Sequence, residues 1–257
     1  MILTVENLSF AYPGGKDVLR ELTFSAQKGE FISVLGPNGV GKSTLFRCIL
    51  GNLGGYSGEI QLDGRNIRDL STREMARHIA YIPQTHRPTF GYSVADTVLM
   101  GTTRQLSTFE QPGPKQEQVA REAMERVGIW HLRERNFAHL SGGEQQLTLI
   151  ARAIAQQADI LVMDEPTSAL DYGNQLRVLQ QVQNLAHQGY TVLLSTHNPQ
   201  HALQFADRVL ALSGGKLFAD GATVAVLTPE LIEKLYGVKA LFADTAAGRV
   251  LVPLGEV

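Results

Sequence analysis

A short apolar strand that runs directly into a glycine-rich loop constrains this chain more than any other feature. Residues 31–35, Phe-Ile-Ser-Val-Leu, are almost continuously apolar, which predicts a strand buried on both faces. Residues 36–44 follow as Gly-Pro-Asn-Gly-Val-Gly-Lys-Ser-Thr, and a helix is predicted over 42–50. A strand, a glycine loop and a helix in this order fit an α/β fold, with the loop at the carboxyl end of the strand.

The spacing within this loop matches a phosphate-binding loop, because Gly36 is followed after four residues by Gly41, Lys42 and Ser43. The glycines allow successive backbone N–H groups to wrap the β-phosphate. Lys42 would reach the β- and γ-phosphates, and the Ser43 hydroxyl would be a ligand of Mg²⁺. The alternative, a strand-to-helix turn without a ligand, gives the lysine and the serine no packing role. The predicted nucleotide contacts are Gly36, Pro37, Asn38, Gly39, Val40, Gly41, Lys42, Ser43 and Thr44.

A second glycine-containing segment, residues 140–145, has the features of a helix start. Ser141 and Glu144 have the spacing of a capping box. Gly142 and Gly143 would let an anion approach the N–H groups at the positive end of the helix. One nucleotide does not need two such cradles in one chain, so the segment raises the question of whose phosphate it meets. The apolar residues that predict the helix are Leu147, Ile150, Ala151 and Ile154.

Two carboxylates follow another apolar strand, residues 160–163. Asp164 and Glu165 lie where open α/β sheets place their ligands. In a chain with a phosphate-binding loop, Asp164 would hold Mg²⁺, directly or through water, and Glu165 would orient or deprotonate the attacking water. The alternative is an acidic turn before Pro166.

Short strands alternate with helical segments along most of the chain, which is typical of an α/β fold. Between about residues 86 and 157 strand signals mostly vanish, and residues 111–114, Gln-Pro-Gly-Pro, predict an exposed turn. This region is predicted to be a helical subdomain inserted into the sheet domain. Strands are predicted at 3–8, 22–26, 31–35, 60–62, 79–82, 160–163, 191–195, 209–212 and 216–219. Helices are predicted at 42–50, around 119–127, over the apolar face of 178–186, and at 229–236.

Composition excludes several classes of protein. The 257 residues carry 23 basic and 25 acidic side chains, a formal net charge of -2, which argues against a protein that coats nucleic acid. Cys48 is the only cysteine, so an internal disulfide is impossible, and its apolar neighbours predict simple burial. The amino terminus lacks the pattern of a signal peptide, and no segment approaches about 18 uninterrupted apolar residues. We expect a cytoplasmic chain that reaches a membrane only through a partner.

Together these motifs resemble the nucleotide-binding subunit of ATP-binding cassette (ABC) transporters. The resemblance covers the chain from Met1 to about Val238 and implies a P-loop NTPase with a RecA-like core and a small antiparallel β-subdomain. It divides the single domain into an ATPase core (1–85 and 158–238), a helical signature subdomain (86–157) and a C-terminal tail (239–257). The elements that carry it, in order, are Tyr12, residues 36–44, Gln84, residues 140–145, Asp164 with Glu165, residues 168–171 (Ser-Ala-Leu-Asp) and His197.

The resemblance also implies individual roles for three residues that bind ATP or its Mg²⁺. Tyr12 would stack on adenine, although a strand-ending turn over Tyr12–Gly15 accounts for it equally naturally. Gln84 would contact Mg²⁺ or the water; a glutamine after proline is uninformative by itself. His197 would contact the γ-phosphate and the Glu165 region.

The remaining implied roles belong to a head-to-tail homodimer. Ser141, Gly142 and Gly143 would bind the γ-phosphate held by the opposite subunit, so that two chains close around two ATP molecules. Asp171 would lie at the dimer seam, where helix capping is its alternative role and both can hold. One departure from the family pattern is the pair Gln145 and Gln146, because members often carry a basic residue after the signature glutamate.

The segments 84–101 and 227–238 are similar to importers of the iron-siderophore, haem and cobalamin group. Residues 99–112 and 168–171 are similar to molybdate or tungstate members of that group. The resemblance therefore implies a metal-chelate or metal-oxyanion importer whose partners are membrane permease subunits and, indirectly, a substrate-binding protein. It implies no nucleic-acid partner. The alternatives are a nucleic-acid-associated ABC ATPase and the ATPase subunit of an exporter. Tandem cassettes, zinc-binding cysteines and fused membrane spans, common in those classes, are not found in the sequence.

Overall fold

The computed structural model describes residues 1–84, 91–106, 110–246 and 248–255. The strands in this part of the chain are β1 Leu3–Ala11, β2 Asp17–Ala26, β3 Phe31–Leu35, β4 Ser57–Leu62, β5 Arg65–Asn66, β6 Ile79–Ile82, β7 Ile160–Asp164, β8 Thr191–Thr196, β9 Arg208–Ser213, β10 Lys216–Ala222, β11 Ala240–Thr245 and β12 Gly248–Pro253. The α-helices are α1 Lys42–Ile49, α2 Thr72–His78, α3 Val94–Leu99, α4 Pro114–Arg126, α5 Gly142–Ala155, α6 Tyr172–His187, α7 Pro199–Phe205, α8 Thr223–Val226 and α9 Pro229–Tyr236.

The described residues form two compact units, one of residues 1–70 with 186–257 and the other of residues 71–185. In the first unit, β2, β1, β4 and β5 form an antiparallel sheet in that order. Leu3 pairs with Ala26 on one side and with Leu62 on the other, and all three are buried. The small antiparallel β-subdomain expected near the amino terminus is confirmed.

The first unit also contains parallel strands, with β3 between β8 and β9. Every residue of β3 is buried, as expected for a strand covered on both faces. Leu35 pairs with Thr196 of β8, and the Gly36 N–H donates to the Thr196 carbonyl at 3.4 Å. This register brings the loop after β3 and the residue after β8 to the same edge of the sheet.

The second unit contains the parallel strands β6 and β7 and the helices α3, α4 and α5, which lie between these strands in the sequence. Ile79 of β6 pairs with Ile160 of β7, and Ile82 pairs with Met163. Helices α3, α4 and α5 pack on one another, and α5 buries its predicted apolar face. The α/β fold with an inserted helical region is therefore confirmed, while the predicted division at residues 86 and 157 stays a prediction.

Some elements differ from the expectations. Pro114 begins α4 with Gly113 as its N-cap, because proline at the first helical position needs no N–H partner. The hairpin of β11 and β12 falls in the tail, for which no element was predicted. Phe90 and Phe109, inside the segments compared with importers, lie outside the described residues. Cys48 is fully buried, and burial raises the pKa of its thiol to about 11.

Candidate functional site

The loop between β3 and α1 is held close to neighbouring backbone, which explains two of its glycines. A Cβ on Gly36 would lie 2.7 Å from the Leu212 carbonyl oxygen. Gly41 has a φ of +111°, and a Cβ there would lie 2.9 Å from the Leu19 side chain. Gly36 is required because a side chain has no space there. Gly41 is required for space and also for its backbone conformation.

Lys42 is buried and its ammonium group is fixed over this loop. Its Nζ donates to the Gly36 carbonyl at 2.7 Å and to the Pro37 carbonyl at 3.1 Å. Helix α1, which begins at Lys42, has no side-chain cap and no acidic residue in its first turn. The N-terminus of α1 therefore presents backbone N–H groups and a lysine together, the arrangement that favours a bound phosphate.

Tyr12 and His197 lie in the same unit as this loop. Tyr12 follows β1, its ring meets that of Phe10 edge-on at 5.0 Å, and its hydroxyl lies 3.3 Å from the Thr44 hydroxyl of α1. His197 follows β8 and is exposed at the edge where Gly36 leaves β3. The structure thus places the predicted adenine and γ-phosphate contacts around one phosphate loop.

In the second unit, Gln84 and the predicted carboxylates follow two paired strands. Asp164 is the last residue of β7 and is 5% exposed, and Glu165 comes next with a φ of +43°. The Gln84 side-chain amide donates to the Ser168 hydroxyl at 3.4 Å, and that hydroxyl donates to the Glu165 carbonyl at 3.1 Å. Gln84 is therefore connected to the backbone of Glu165 through one serine.

The predicted capping box at the start of α5 is confirmed. The Glu144 carboxylate accepts from the Ser141 N–H and from the Ser141 hydroxyl, each at 2.8 Å, while the Glu144 N–H donates to the Ser141 hydroxyl at 3.4 Å. Hydrogen bonds from the Ser141 backbone and then its side chain hold the pKa of Glu144 below its ordinary value of 4.5, and Arg135 adds to this effect.

The glycines after Ser141 are packed against the segment that precedes and begins α6. A Cβ on Gly142 would lie 3.0 Å from the Leu170 side chain, and one on Gly143 would lie 2.6 Å from Asn174 Cγ. Neither glycine has a positive φ. These two positions need glycine because of close approach and not because of backbone conformation.

The two glutamines that depart from the family pattern have different environments. The Gln145 amide donates to the Leu140 carbonyl at 3.2 Å. Gln146 is 7% exposed, and its Nε2 has no hydrogen-bond partner among the described residues. Where family members often carry a basic residue, Gln145 is thus uncharged and bonds the backbone just before the capping box.

A model of the family described as "ABC transporter" matches residues 19–168. The chain belongs to the ABC transporter family. Because the ATP-binding cassettes of this family hydrolyse ATP, the chain is an ATPase. None of the helices in the described part of this ABC subunit is both long enough and apolar enough to cross a membrane.

The ABC subunit has curated relatives that align over most of both chains. An ABC transporter ATP-binding protein of Haemophilus influenzae is 41% identical, covering 92% of this chain and 89% of its own. The molybdate import ATP-binding protein MolC of the same species is 39% identical, covering 91% and 87%. The hemin import ATP-binding protein HmuV of Gloeobacter violaceus is 38% identical, covering 94% and 90%.

Solved structures of ABC proteins share the fold. A metal-chelate type ABC transporter in an inward-facing conformation has a chain that is 36% identical, with a TM-score of 0.88, covering 99% of this chain and 98% of that one. The cassette MJ0796, described as dimeric and bound to ADP and Pi, is 25% identical, with a TM-score of 0.74 and coverages of 86% and 98%.

A groove of about 600 Å³ lies on the second unit, beside α2 and the turn that follows α3. Arg73 donates to the Leu106 carbonyl at 3.1 Å, and Arg104 donates to the Gln157 carbonyl at 2.9 Å. Burial, followed by the charge of Arg77, lowers the pKa of Arg104. The residues lining the groove are Thr72, Arg73, Ala76, Thr103, Arg104, Leu106 and Glu110.

Sequence reasoning missed two residues that organise this ABC subunit, Asn174 and Gln175. Both lie in the first turn of α6 and bond residues of the preceding segment. Asparagine three residues after Asp171 is compatible with a cap, which was a usable signal for that contact. No local signal indicated that Asn174 lies against Gly143.

Proposed function

We propose that this chain is the ATP-hydrolysing subunit of an ABC importer and that two copies close head to tail around two ATP molecules. The observation that carries the proposal is that one chain has two helix N-termini suited to phosphate, those of α1 and α5. Lys42 lies at the first of these, and Gly142 with Gly143 at the second. One ATP does not need both from a single chain, whereas a head-to-tail dimer uses each once. The MJ0796 cassette is described as dimeric, which supports the pairing of two copies.

Hydrolysis in this dimer would divide the work among several groups of each chain. Lys42 would exchange its contacts with loop carbonyls for phosphate oxygens. Glu165 would act as the general base or position the water, and His197 would contact the γ-phosphate. Ser141, with Gly142 beside it, would approach the γ-phosphate of the partner copy, which makes each site dependent on both chains.

The residues proposed to hold Mg²⁺ fit that ion by their chemistry. Asp164 supplies a carboxylate that is 5% exposed, Ser43 a hydroxyl and Gln84 an amide oxygen. Oxygen donors of this kind are the ligands that Mg²⁺ prefers. When bound with ATP, the ion would neutralise charge on the β- and γ-phosphates.

The proposed cargo is a metal chelate or metal oxyanion: an iron-siderophore, haem, cobalamin, or molybdate or tungstate. Support comes from relatives described as hemin and molybdate import proteins and from the metal-chelate type transporter. Cargo would not touch this subunit, since it would pass through the permease.

The permease, in this proposal, docks a cytoplasmic segment in the groove beside α2 and keeps the ATPase at the cytoplasmic face of the membrane. Ala76 and Leu106 supply apolar surface, and the charges of Arg73 and Arg104 exceed that of the single carboxylate in the lining, Glu110, so the groove is positively charged on balance. A segment with an apolar side chain and a neighbouring carboxylate would complement this surface.

Ala76→Arg should weaken this contact, because a long cationic side chain would fill the groove. We expect less permease to copurify with the variant and metal-chelate uptake to fall in proportion. Lys115→Arg, on the exposed surface of α4, is the matched control. Normal permease recovery with Ala76→Arg would show that the permease docks elsewhere.

Glu165→Gln tests the dimer. The variant should bind ATP but not hydrolyse it, because the amide cannot accept a proton from water, and ATP should therefore trap a dimer. Size-exclusion chromatography with light scattering measures this directly. An ATP-loaded variant that stays monomeric at high concentration would contradict the head-to-tail dimer.

Uptake into vesicles that contain the complete transporter tests the function. Iron chelates, haem, cobalamin and molybdate would be offered separately, with ATP inside or outside. ATP-dependent accumulation of one of them is the expected result. Copurification of the chain with nucleic acid and without a membrane protein would overturn the importer assignment.

A further inference from the structure

The first turn of α6 fastens the segment that connects it to Glu165. Asn174 donates twice to Asp171, from its backbone N–H to Oδ1 at 2.9 Å and from its side-chain Nδ2 to Oδ2 at 2.7 Å. Gln175 donates from Nε2 to the Leu170 carbonyl at 2.9 Å and to the Thr167 carbonyl at 3.3 Å. Neighbouring amides on α6 thus fix both the backbone of residues 167–170 and the carboxylate of Asp171.

The same Asn174 side chain also lies against the start of α5. It occupies the space that a side chain on Gly143 would need, with Asn174 Cβ 3.0 Å and Cγ 2.6 Å from a Cβ placed there. Leu170, from the segment that Gln175 holds, lies against Gly142 in the same way. The Asn174 side chain therefore bonds the Asp171 carboxylate and also packs against Gly143.

We propose that Asn174, supported by Gln175, is a positioning residue. It joins the start of α5, residues 141–143, and Asp171 into one rigid block, which each copy presents to the ATP of its partner. The inference rests on the proposed head-to-tail dimer. It adds a role for residues of α6 that are not themselves expected to touch nucleotide. It also gives Gly142 and Gly143 a second reason to be glycine, since a side chain at either position would collide with Leu170 or Asn174.

The consequence follows from how sharply phosphate chemistry depends on position. A displacement of about 1 Å in a catalytic arrangement can cost on the order of a hundredfold in rate. Asn174→Ala would remove the side-chain donor to Asp171 and open space beside Gly143, so the segment before α6 and the start of α5 would no longer be held together. The Lys42 loop belongs to the other compact unit, and its ATP affinity in the isolated chain should be retained.

The first experiment compares Asn174→Ala with Gln180→Ala, an exposed amide on the same helix. For Asn174→Ala we expect kcat to fall by about a hundredfold, with the ATP Kd of the isolated chain within about twofold of the parent. Asn174→Asp should be no better, because it loses the Nδ2 donor and sets a second carboxylate beside Asp171. Unchanged kcat in Asn174→Ala would overturn the proposal.

The decisive experiment uses dimers of two differently tagged Glu165→Gln chains. The substitutions Lys42→Ala and Asn174→Ala are placed on these chains in two ways. In the separate arrangement one chain carries Lys42→Ala and the other Asn174→Ala. In the same-chain arrangement one chain carries both. Only in the separate arrangement does the intact Lys42 face a partner whose α5 start is supported by Asn174.

The readout is labelled ATP retained by dimers captured through both tags. We expect the separate arrangement to retain about tenfold more than the same-chain arrangement. Equal retention, whether high or low, would overturn the role of Asn174 toward the partner. The Glu165→Gln homodimer without further changes is the reference: if it retains no ATP, the proposed dimer itself has failed.

A stability cycle checks the contact independently of activity and guards against a variant that folds poorly. Gly143→Ala should lower the melting temperature more in the parent chain, where its methyl group meets Asn174 Oδ1 and Cγ, than in the Asn174→Ala background, where only the contact with Cβ at 3.0 Å remains. Additive effects of the two substitutions would show that the contact does not hold the block together.

Discussion

At the scale of single residues, the backbone of Glu165 is the feature most closely connected to chemistry. Its φ of +43° lies in the left-handed region, which costs a residue other than glycine about 1–3 kcal/mol. Such a conformation persists only where its surroundings fix it. Here the buried strand β7 precedes Glu165, and the Ser168 hydroxyl bonds its carbonyl. The carboxylate proposed to act on water is thus aimed by the backbone.

Glu144 gives a pH dependence with a defined sign. Its pKa is lowered on folding, so the stability that it contributes is complete above its ordinary value of 4.5 and is lost as the pH falls through the lower folded value. Glu144→Gln keeps a capping-box acceptor but cannot titrate. We therefore expect its melting temperature to depend less steeply on pH below about pH 5 than that of the parent. Parallel pH profiles would contradict the assignment.

At the scale of elements, the tail hairpin is part of the first unit's core. Ala240 of β11 is buried in a cluster with Leu231 and Leu235 of α9, and Phe242 and Leu251 pack against it. The Leu251 N–H donates to the Gln200 side chain at 2.8 Å, which connects β12 to α7, the helix that follows His197.

Removing the hairpin should therefore destabilise the ATPase. A chain that ends at Val238 exposes this cluster, and we expect a melting temperature lower by roughly 5 °C or more. Differential scanning fluorimetry measures the change, and a chain that ends at Leu254 is the control. A melting temperature equal to that of the full chain would show that the hairpin adds no stability.

At the scale of the whole molecule, the proposed dimer explains why one chain carries two phosphate-suited helix starts. Ser141→Ala separates the local role of the serine from the role across the dimer. Loss of the cap alone costs about 1 kcal/mol of stability. Because its own ATP is held at the other helix start, the variant should bind ATP almost normally and lose most hydrolysis.

Ser93→Ala provides a matched control for this experiment. Ser93 caps α3 in the same kind of box, with Asp96 as its partner, and lies in the same compact unit. It should lose similar stability but keep hydrolysis. ATPase rates and ATP affinities of both variants make the comparison; loss of ATP binding in Ser141→Ala would contradict the role toward the partner.

The sequence alone predicted the phosphate loop, the capping box at Ser141, the strand-end carboxylates and the α/β class. These features depend on residues that are close together in the chain, where glycine spacing, periodicity and capping have direct physical meanings. The same reasoning could not find the tail hairpin or the contact between Asn174 and Gly143.

Only the tertiary structure decided which distant segments meet. The pairing of Leu35 with Thr196 brings His197 to the edge of the phosphate loop, and the approach of α6 to α5 makes Gly143 a packing requirement. Both follow from strand register and helix packing, which are set by the collective burial of many side chains. Local spacing determined what the phosphate loop can bind, and packing between distant segments determined what surrounds it.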